Sequence, residues 1–350
     1  MPFLTRRTFA LGALAACGGP VFAQDAPPDF SYAERGDAMR WAAEAAARLG
    51  LDAQWAQQSV GRARFSAEAQ RLMRPAAYSQ ASSAARNWRA YRKRFLTSVH
   101  LEAGRRFWQA HRATLARVEQ AYGVPAAAIV GILGVETIYG RNVGKHRVLD
   151  VLATLAFDFP QDHPRAAQRQ TFFARELAHF LALCRESGME PDEPRGSYAG
   201  AMGLPQFMPS SWRQWAVDFD GDGRIDLWGS AADVCASVAN YFRAFGWRPG
   251  LPTHYGVSLR PQADMAALLE HDILPTLTAQ RMQELGAQLP EEALEHDGPL
   301  ALIELQNGER DAPTYVAGTE NFYVITRYNW SAYYAMAVIE LGRLVAAQAG

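Results

Sequence analysis

The uncharged stretch before Glu136 constrains the fold of this chain more than any other segment. From Gln120 to Val135 no side chain carries a charge, and Ala126–Val135 contains no polar side chain at all. A helix that is apolar on every side is a buried helix. The pattern therefore predicts a core helix that begins after Pro125 and has Glu136 near its C-terminal end.

Glu136 is the first acid after this stretch, so the environment of its carboxyl group decides what it can do. Burial disfavours the carboxylate, and the negative end of a helix does the same, so both raise the pKa. A carboxylic acid that stays protonated near neutral pH is what a general acid needs. The alternative is a structural glutamate paired with Arg141 or Arg147. The residues alone leave both interpretations open.

Most of the remaining chain shows helical spacing of apolar residues. The composition is that of a globular protein, with 49% hydrophobic and 20% charged residues. A periodicity of three to four residues predicts helices over several ranges: 30–120, 168–186, 230–247 and Ser331–Ala347.

The segment from 251 to 325 has a different amino-acid composition, because Pro, Gly and Asp become more frequent. Two short apolar runs, Ala301–Leu305 and Tyr323–Thr326, predict strands. Asn307-Gly308 follows the first run and predicts a hairpin turn. The sequence therefore indicates a mainly α protein with a small β region.

Charge and cysteine content exclude several classes of protein. The 35 basic and 36 acidic residues give a net charge of −1, so there is no basic footprint for nucleic acid. Three cysteines are too few for a disulfide scaffold or a thiolate metal cluster. Cys184 and Cys235 lie in apolar helical patterns, which predict buried thiols. An oxidising compartment would also permit a bridge between them.

The N-terminus reads as an export signal over residues 1–23. Arg6-Arg7 is followed by a stretch without charge until Asp25, too short and too interrupted to span a bilayer. The arginine pair is similar to the twin-arginine export class. Two processing sites remain open. Cleavage after Ala23 would discard the signal, whereas a lipobox-like segment would make Cys17 the lipidated first residue.

A run of aspartates has the spacing of a calcium loop. Asp218, Asp220 and Asp222 occupy positions 1, 3 and 5, and a glycine follows at position 6 for the sharp turn. The backbone carbonyl of Arg224 would take the seventh position. Glycine replaces the usual glutamate at position 12, and Asp233 is the natural substitute in a lengthened loop. The alternative is an aspartate-rich turn without a metal.

The segment Gly196–Trp212 is rich in glycine and small residues, which let the backbone approach a ligand closely. Ser197 and Gln206 add side chains that can form hydrogen bonds. Pro209-Ser210-Ser211 predicts a helix start with a serine as its N-cap. An ordinary connection between two helices would explain the same residues.

Several ungapped segments, taken together, resemble the B-type membrane-bound lytic murein transglycosylases of glycoside hydrolase family 103. The likeness runs in order from about Trp88 to the C-terminus. The segments are Gly134–Thr137, Gly200–Ser211, Asp218–Trp228, Ser237–Phe242 and Thr326–Asn329.

The resemblance implies a lysozyme-like α core of the goose type, with a flanking helical region and a small antiparallel β region. After the signal it divides the chain into three parts. These are a helical region and catalytic core with the calcium loop at 24–250, a β-containing region at 251–325, and a closing segment at 326–350. It also implies a periplasmic protein, exported or held as an outer-membrane lipoprotein.

The implied reaction is cleavage of the β-1,4 bond between N-acetylmuramic acid and N-acetylglucosamine in peptidoglycan, giving 1,6-anhydromuropeptides. Glu136 would act first as acid and then as base, and no cofactor is needed for the chemistry. Two other functions are kept open: a hydrolytic muramidase of the same fold, and a non-catalytic wall-binding protein stabilised by calcium.

The resemblance also assigns binding residues. Ser197, Gln206 and Asn329 match positions that line the catalytic subsite, and the candidate groove aromatics are Tyr91, Tyr241, Tyr328 and Tyr334. A structural Ca²⁺ would be held by Asp218, Asp220, Asp222, Arg224 and Asp233. The expected partner is the peptidoglycan glycan strand, bound by a monomer.

Overall fold

The computed structural model describes residues 30–74 and 86–349. The predicted export signal, with Cys17 and Ala23, lies outside the described residues. The described chain forms two compact units. The first contains residues 86–139 and 235–349, and the second contains residues 30–74 and 140–234.

Helices dominate the described residues. In chain order they are α1 (Gly36–Leu49), α2 (Ala53–Gly61), α3 (Ala67–Met73), α4 (Trp88–Lys93), α5 (Ser98–Ala110), α6 (Arg112–Tyr122), α7 (Ala126–Thr137), α8 (Val148–Phe157), α9 (Ala166–Ser187), α10 (Pro209–Trp215), α11 (Ala231–Ala244), α12 (Met265–Leu268), α13 (Ala279–Glu284), α14 (Glu291–Leu294), α15 (Glu320–Thr326) and α16 (Ala332–Ala349). A short 3₁₀ helix, Tyr32–Glu34, precedes α1.

The strands are few, short and antiparallel. They are β1 (His146–Arg147), β2 (Arg195–Gly196), β3 (His254–Gly256), β4 (Ser258–Leu259), β5 (Ala287–Gln288), β6 (Ala301–Leu305) and β7 (Thr314–Gly318). In the first unit β7 lies between β3 and β6, and β4 pairs with β5. In the second unit β1 pairs with β2. The prediction of a mainly α fold with a small antiparallel β region is confirmed.

The core of the first unit is the pair α7 and α16. The apolar residues of α7 are buried except Ala127, and the helix follows Pro125 as predicted. Two glycines let the backbones of the helices touch. A Cβ added at Gly131 would lie 2.2 Å from the carbonyl oxygen of Val338, and one at Gly342 would lie 2.0 Å from that of Ala127.

No single helix in the described ranges combines the length and hydropathy of a membrane span; α6 and α7 meet that test only as a pair bent by 116°.

The exit from α7 is held in an uncommon conformation. Ile138 and Tyr139 both have positive φ, 52° and 56°, which costs free energy for residues with a Cβ. The ring of Tyr139 folds back between α5 and α7. Its hydroxyl oxygen lies 2.6 Å from where a Cβ on Gly104 would sit, and 2.5 Å from the same point on Gly134. This packing fixes the last turn of α7.

In the β region one prediction is wrong and a second holds in part. Tyr323–Thr326 is the second half of helix α15 and not a strand, because Thr319 caps that helix by accepting a hydrogen bond from the backbone of Asn321. Short apolar runs fit a strand or a buried helix equally well. Asn307-Gly308 does lie in the hairpin connection between the antiparallel strands β6 and β7, but that connection is longer than a two-residue turn. The Asn307 side chain closes that loop by donating to Ala312.

The second unit is organised around the apolar helix α8 and the amphipathic helix α9, with α1 to α3 beside them. At its centre the hydroxyl of Tyr32 donates to Asp158 at 2.6 Å, and Arg35 pairs with the same carboxylate at 2.9 Å. Helix α10 begins at Pro209 as predicted, but the expected serine cap is wrong. The N-cap is Met208, and the carboxylate of Glu176 accepts from the backbone and the hydroxyl of Ser210 instead.

Cys184 and Cys235 are free and buried. The prediction of buried thiols is confirmed, and the alternative of a bridge between them is wrong.

Candidate active site

Glu136 lies in the last turn of α7, a helix that is mostly buried, and is itself partly exposed. Burial raises the pKa of its carboxyl group from 4.5 to about 7. The hydroxyl of Tyr334 donates to Oε1 at 2.5 Å and lowers the pKa, which limits the rise. The hydrogen-bond partner is thus a neutral phenol and not a guanidinium. Near neutral pH the carboxyl group of Glu136 is therefore present in both its protonated and its deprotonated form.

Three of the four predicted groove tyrosines interact with the charge of Glu136. Burial is the main reason why the pKa of Tyr91 rises to about 12, and the negative charge of Glu136 adds to it. The pKa values of Tyr328 and Tyr334 are raised by the same two causes. The rings of Tyr328 and Tyr334 stack with centroids 6.5 Å apart. The structure brings these side chains together around one carboxyl group.

The four tyrosines differ in how much of each ring a ligand could reach. Tyr334 is 1% exposed and Tyr241 is 7% exposed, so they support neighbouring groups. Tyr241 packs against Tyr328 at 4.9 Å and donates to the carbonyl of Arg327 at 2.7 Å. Tyr91 and Tyr328 are partly exposed. Of the four, only these last two have a ring that is accessible to a ligand, and contact with a sugar stays a prediction.

Asn329 follows Tyr328 and carries an unpaired polar atom. Its Oδ1 is buried and has no hydrogen-bond partner in the described part of the chain. Most buried acceptors in folded proteins have partners, so an unpaired one needs an explanation. A ligand that donates a hydrogen bond would provide it.

Ser197 and Gln206 belong to the second unit, where they shape the glycine-rich segment. The Ser197 hydroxyl oxygen accepts from the backbone N–H groups of Ala199 and Ala201, at 3.3 and 3.1 Å. The Gln206 amide donates to the carbonyls of Val143 and Gly203, at 3.1 and 2.9 Å. Both residues are partly exposed. Their contact with a ligand stays a prediction.

The aspartate loop of the second unit gathers three carboxylates. Oxygens of Asp218, Asp220 and Asp222 all lie within 4.8 Å of one another, and the three residues are exposed. Asp233 is buried, and its two oxygens accept from the backbone of Phe219 at 2.8 Å and of Asp226 at 2.9 Å. A carboxylate oxygen has two lone pairs, so these bonds leave room for a cation. Oxygen donors in this arrangement suit a hard ion such as Ca²⁺.

Comparison with known proteins agrees with this geometry. The model of the transglycosylase SLT domain family matches residues 35–343. The chain belongs to this family. It is 42% identical over 266 residues to membrane-bound lytic murein transglycosylase B of Escherichia coli. The aligned region covers 74% of this chain and 67% of that protein.

Two solved structures of family members are informative. The Escherichia coli lytic transglycosylase Slt35 in complex with calcium is 36% identical, with a TM-score of 0.78 over 91% of this chain and 96% of that chain. SltB3 of Pseudomonas aeruginosa in complex with NAG-NAM-pentapeptide is 30% identical, with a TM-score of 0.73 over 89% of this chain and 79% of that chain. The lysozyme-like fold predicted for this SLT-family chain is thereby confirmed, and so is its class, a lytic transglycosylase that cleaves peptidoglycan.

Sequence reasoning missed two features of this lytic transglycosylase. Tyr139 secures the end of α7, yet positive φ at a residue other than glycine leaves no mark in the sequence. Arg327 is held among three aromatic rings that come from separate segments (Phe245, Tyr323 and Trp330). The spacing of Tyr323 and Arg327, four residues apart across the end of a helix, is the one signal that could have revealed part of this cluster.

Proposed function

We propose that this lytic transglycosylase cleaves the β-1,4 bond between N-acetylmuramic acid and N-acetylglucosamine, with Glu136 as the only acid and base. The observation that carries the proposal is a partly exposed carboxyl group whose pKa is about 7. General acid–base catalysis is most efficient when the pKa lies near the working pH.

In the first step protonated Glu136 gives its proton to the glycosidic oxygen. The bond from C1 of the muramic acid to that oxygen breaks, and the N-acetylglucosamine leaves with a new hydroxyl group. The acetamido group of the substrate stabilises the positive charge at C1. In the second step the carboxylate takes the proton of the C6 hydroxyl while O6 bonds to C1. The product is a 1,6-anhydro sugar, and Glu136 is protonated again.

The surroundings of Glu136 favour this route over hydrolysis. Glycoside hydrolases place a second carboxylate about 5 to 10 Å from the first, and a charged neighbour at that distance raises the pKa of its partner. Within the described residues, burial raises the pKa of Glu136 and the hydrogen bond from Tyr334 lowers it, and no carboxylate contributes to the shift. A single carboxyl group suits an intramolecular nucleophile. A hydrolytic muramidase is the second candidate function.

We propose that the substrate contacts the partly exposed rings of Tyr91 and Tyr328 and the side chain of Asn329. Ser197 and Gln206, in the second unit, are proposed as substrate-binding residues on the resemblance alone. A tyrosine ring covers the apolar face of a sugar while its hydroxyl reaches polar neighbours. The unpaired Oδ1 of Asn329 is suited to accept from the N–H of an acetamido group, which would satisfy both atoms.

Mass spectrometry of the products from purified murein tests the proposed reaction. We expect 1,6-anhydromuropeptides, lighter by one water than the products of hydrolysis, because O6 replaces water as the nucleophile. Reducing-end muramic acid as the main product would instead support a muramidase. Binding to murein without any cleavage would support the wall-binding alternative.

We propose that Asp218, Asp220, Asp222, the carbonyl of Arg224 and Asp233 hold a Ca²⁺ that stabilises the second unit and takes no part in the reaction. The clustering of three carboxylates supports this, as does the calcium complex of Slt35. Asp226 is a further candidate: its carboxylate already accepts from two backbone N–H groups that shape the loop.

Chelation of calcium is expected to lower the melting temperature by about 5 °C, and added Ca²⁺ should restore it. A ligand present at about a hundred times its dissociation constant stabilises by about 3 kcal/mol, which corresponds to this shift for a protein of this size. Differential scanning fluorimetry with and without a chelator measures it. The variant Asp222→Asn should respond less. A wild-type melting temperature that ignores calcium would refute the metal site.

We further propose that the protein is exported to the periplasm, where it meets peptidoglycan strands as a monomer. The basis is the Arg6-Arg7 signal in residues 1–23 together with the membrane-bound relative. Cleavage after Ala23 and lipidation at Cys17 are distinguished by the mass of the mature N-terminal peptide.

A further inference from the structure

Arg327 has unusual surroundings for an arginine. Its guanidinium carbon lies 5.2 Å from the ring centroid of Phe245, 5.3 Å from that of Trp330 and 5.7 Å from that of Tyr323. We call these four residues the arginine cage. In the described chain Arg327 makes one polar side-chain contact: a terminal nitrogen donates to the Tyr323 hydroxyl at 3.3 Å. Within the same described ranges Arg327 forms no ion pair, whereas Arg35, Arg213 and Arg248 each bind a carboxylate.

The arginine cage leaves the donors of the guanidinium available. A guanidinium has five N–H donors in one plane, and aromatic rings interact with its faces. Arg327 is partly exposed, and its remaining nitrogens are not among the buried unpaired atoms. Rings that hold the cation in place reduce the entropy lost on binding, and a planar, fixed guanidinium suits a carboxylate.

The arginine cage is connected to the catalytic carboxyl group by a row of aromatic rings. Phe245 packs on Tyr241 at 4.5 Å, and Tyr241 packs on Tyr328 at 4.9 Å. Tyr328 stacks on Tyr334 at 6.5 Å, and the Tyr334 hydroxyl bonds to Glu136. Arg327 also immediately precedes Tyr328 and Asn329 in the chain. A substrate bound at Glu136 would have to extend past the partly exposed Tyr328, by a side chain or a neighbouring sugar, to meet Arg327.

We propose that Arg327 binds a carboxylate of the substrate and so selects muramic acid residues by the acid they carry. This inference rests on the proposed function, which makes peptidoglycan the substrate. Two sources supply the same chemistry. A strand that keeps its peptides offers carboxylates of the peptide stem. A strand without peptides offers the free carboxylate of the lactyl group on muramic acid. The neutral sugar N-acetylglucosamine offers none.

The test measures binding without turnover in a Glu136→Gln background. Calorimetry compares three ligands: a disaccharide pentapeptide, the same disaccharide without its peptide, and a neutral tetramer of N-acetylglucosamine. Adding Arg327→Gln should weaken binding of a carboxylate ligand about tenfold, near the lower end of the range for a charge-assisted hydrogen bond. Binding of the neutral tetramer should stay unchanged. Arg327→Lys should recover part of the loss, because it keeps the charge but not the planar donors.

Arg243→Gln is the matched control, because Arg243 is exposed on α11, close in sequence to Phe245, and its loss changes the net charge equally. It should leave all three affinities unchanged. A loss confined to the pentapeptide ligand identifies the stem as the source, and a loss confined to the peptide-free disaccharide identifies the lactyl group. Equal losses for all three ligands would mean that the cage is only structural, and no loss would mean that it binds nothing; either result overturns the proposal.

Failure of the proposed function would look different. If Glu136 were not the catalytic group, the Glu136→Gln parent would still release anhydro products, whatever the affinities of the Arg327 variants. Failure of the Arg327 proposal would leave that parent inactive and its ligand preferences unaltered.

Discussion

Replacing Glu136 with glutamine is expected to lower kcat/KM for murein cleavage by about a thousandfold or more. Loss of one general acid or base typically costs 10²- to 10⁴-fold, and here a single group would perform both steps. Glutamine has nearly the same shape and can still accept a hydrogen bond from Tyr334, so the effect is chemical. Release of soluble muropeptides from purified murein, measured by liquid chromatography, gives the rate. Full residual activity would refute the assignment of Glu136.

Stability shows whether the inactive variant is folded. The folded-state pKa of Glu136 is raised from 4.5 to about 7. The native state therefore holds the proton more tightly than the unfolded chain, and stability falls as pH rises between these two values. Above pH 7 the ionisation of Glu136 lowers the free energy of unfolding by at most ~3 kcal/mol. Glutamine never ionises, so Glu136→Gln should melt higher than wild type at pH 8 and nearly together with it at pH 4.

Tyr334→Phe is the matched control for the catalytic carboxyl group. It keeps Glu136 but removes the hydroxyl that lowers its pKa. The protonated form then persists to higher pH, so the alkaline limb of the kcat/KM profile should shift to higher pH. Activity at the optimum should fall much less than for Glu136→Gln. A limb that stays in place would assign the pH dependence to another group.

Replacing Gly342 with alanine is expected to destabilise the protein by about 3 kcal/mol or to prevent folding. In an open helix this change would stabilise by up to about 1 kcal/mol, because alanine is the better helix former. Here the new methyl group would lie 2.0 Å from the carbonyl oxygen of Ala127, which is backbone and cannot turn aside. The helices α7 and α16 must move apart, and overpacking of a core is costly. Thermal melting and soluble yield measure the effect.

Gly36→Ala is the control for this substitution. Gly36 is the first residue of α1, and a Cβ there would meet nothing within 4 Å. The same chemical change should therefore alter the stability by no more than about 0.5 kcal/mol. A melting temperature for Gly342→Ala close to that of Gly36→Ala would show that the two core helices can separate without cost.

The sequence was informative where one strong pattern decided the structure. The uncharged run before Glu136 predicted a buried helix, and α7 spans Ala126–Thr137. The strand Ala301–Leu305 was also predicted with the observed bounds. Both segments are buried, so hydrophobic pattern and tertiary structure agree.

Local pattern was insufficient where a distant residue decided the outcome. Thr319 and the backbone around Arg248 hold α15 as a helix, although its second half resembled a strand. Glu176 from α9 takes the place of a local serine cap at α10. The arginine cage likewise forms only when α11 and the end of α15 meet. None of these partners can be found from spacing within one element.

The two free cysteines determine how the described part of the chain responds to oxidants. Burial raises the pKa of both the Cys184 and the Cys235 thiol to about 12. The thiolate is the form that attacks disulfides and oxidants, so at neutral pH these residues are almost inert. The described residues therefore fold without a disulfide, and their stability should not depend on whether the surrounding medium is reducing or oxidising.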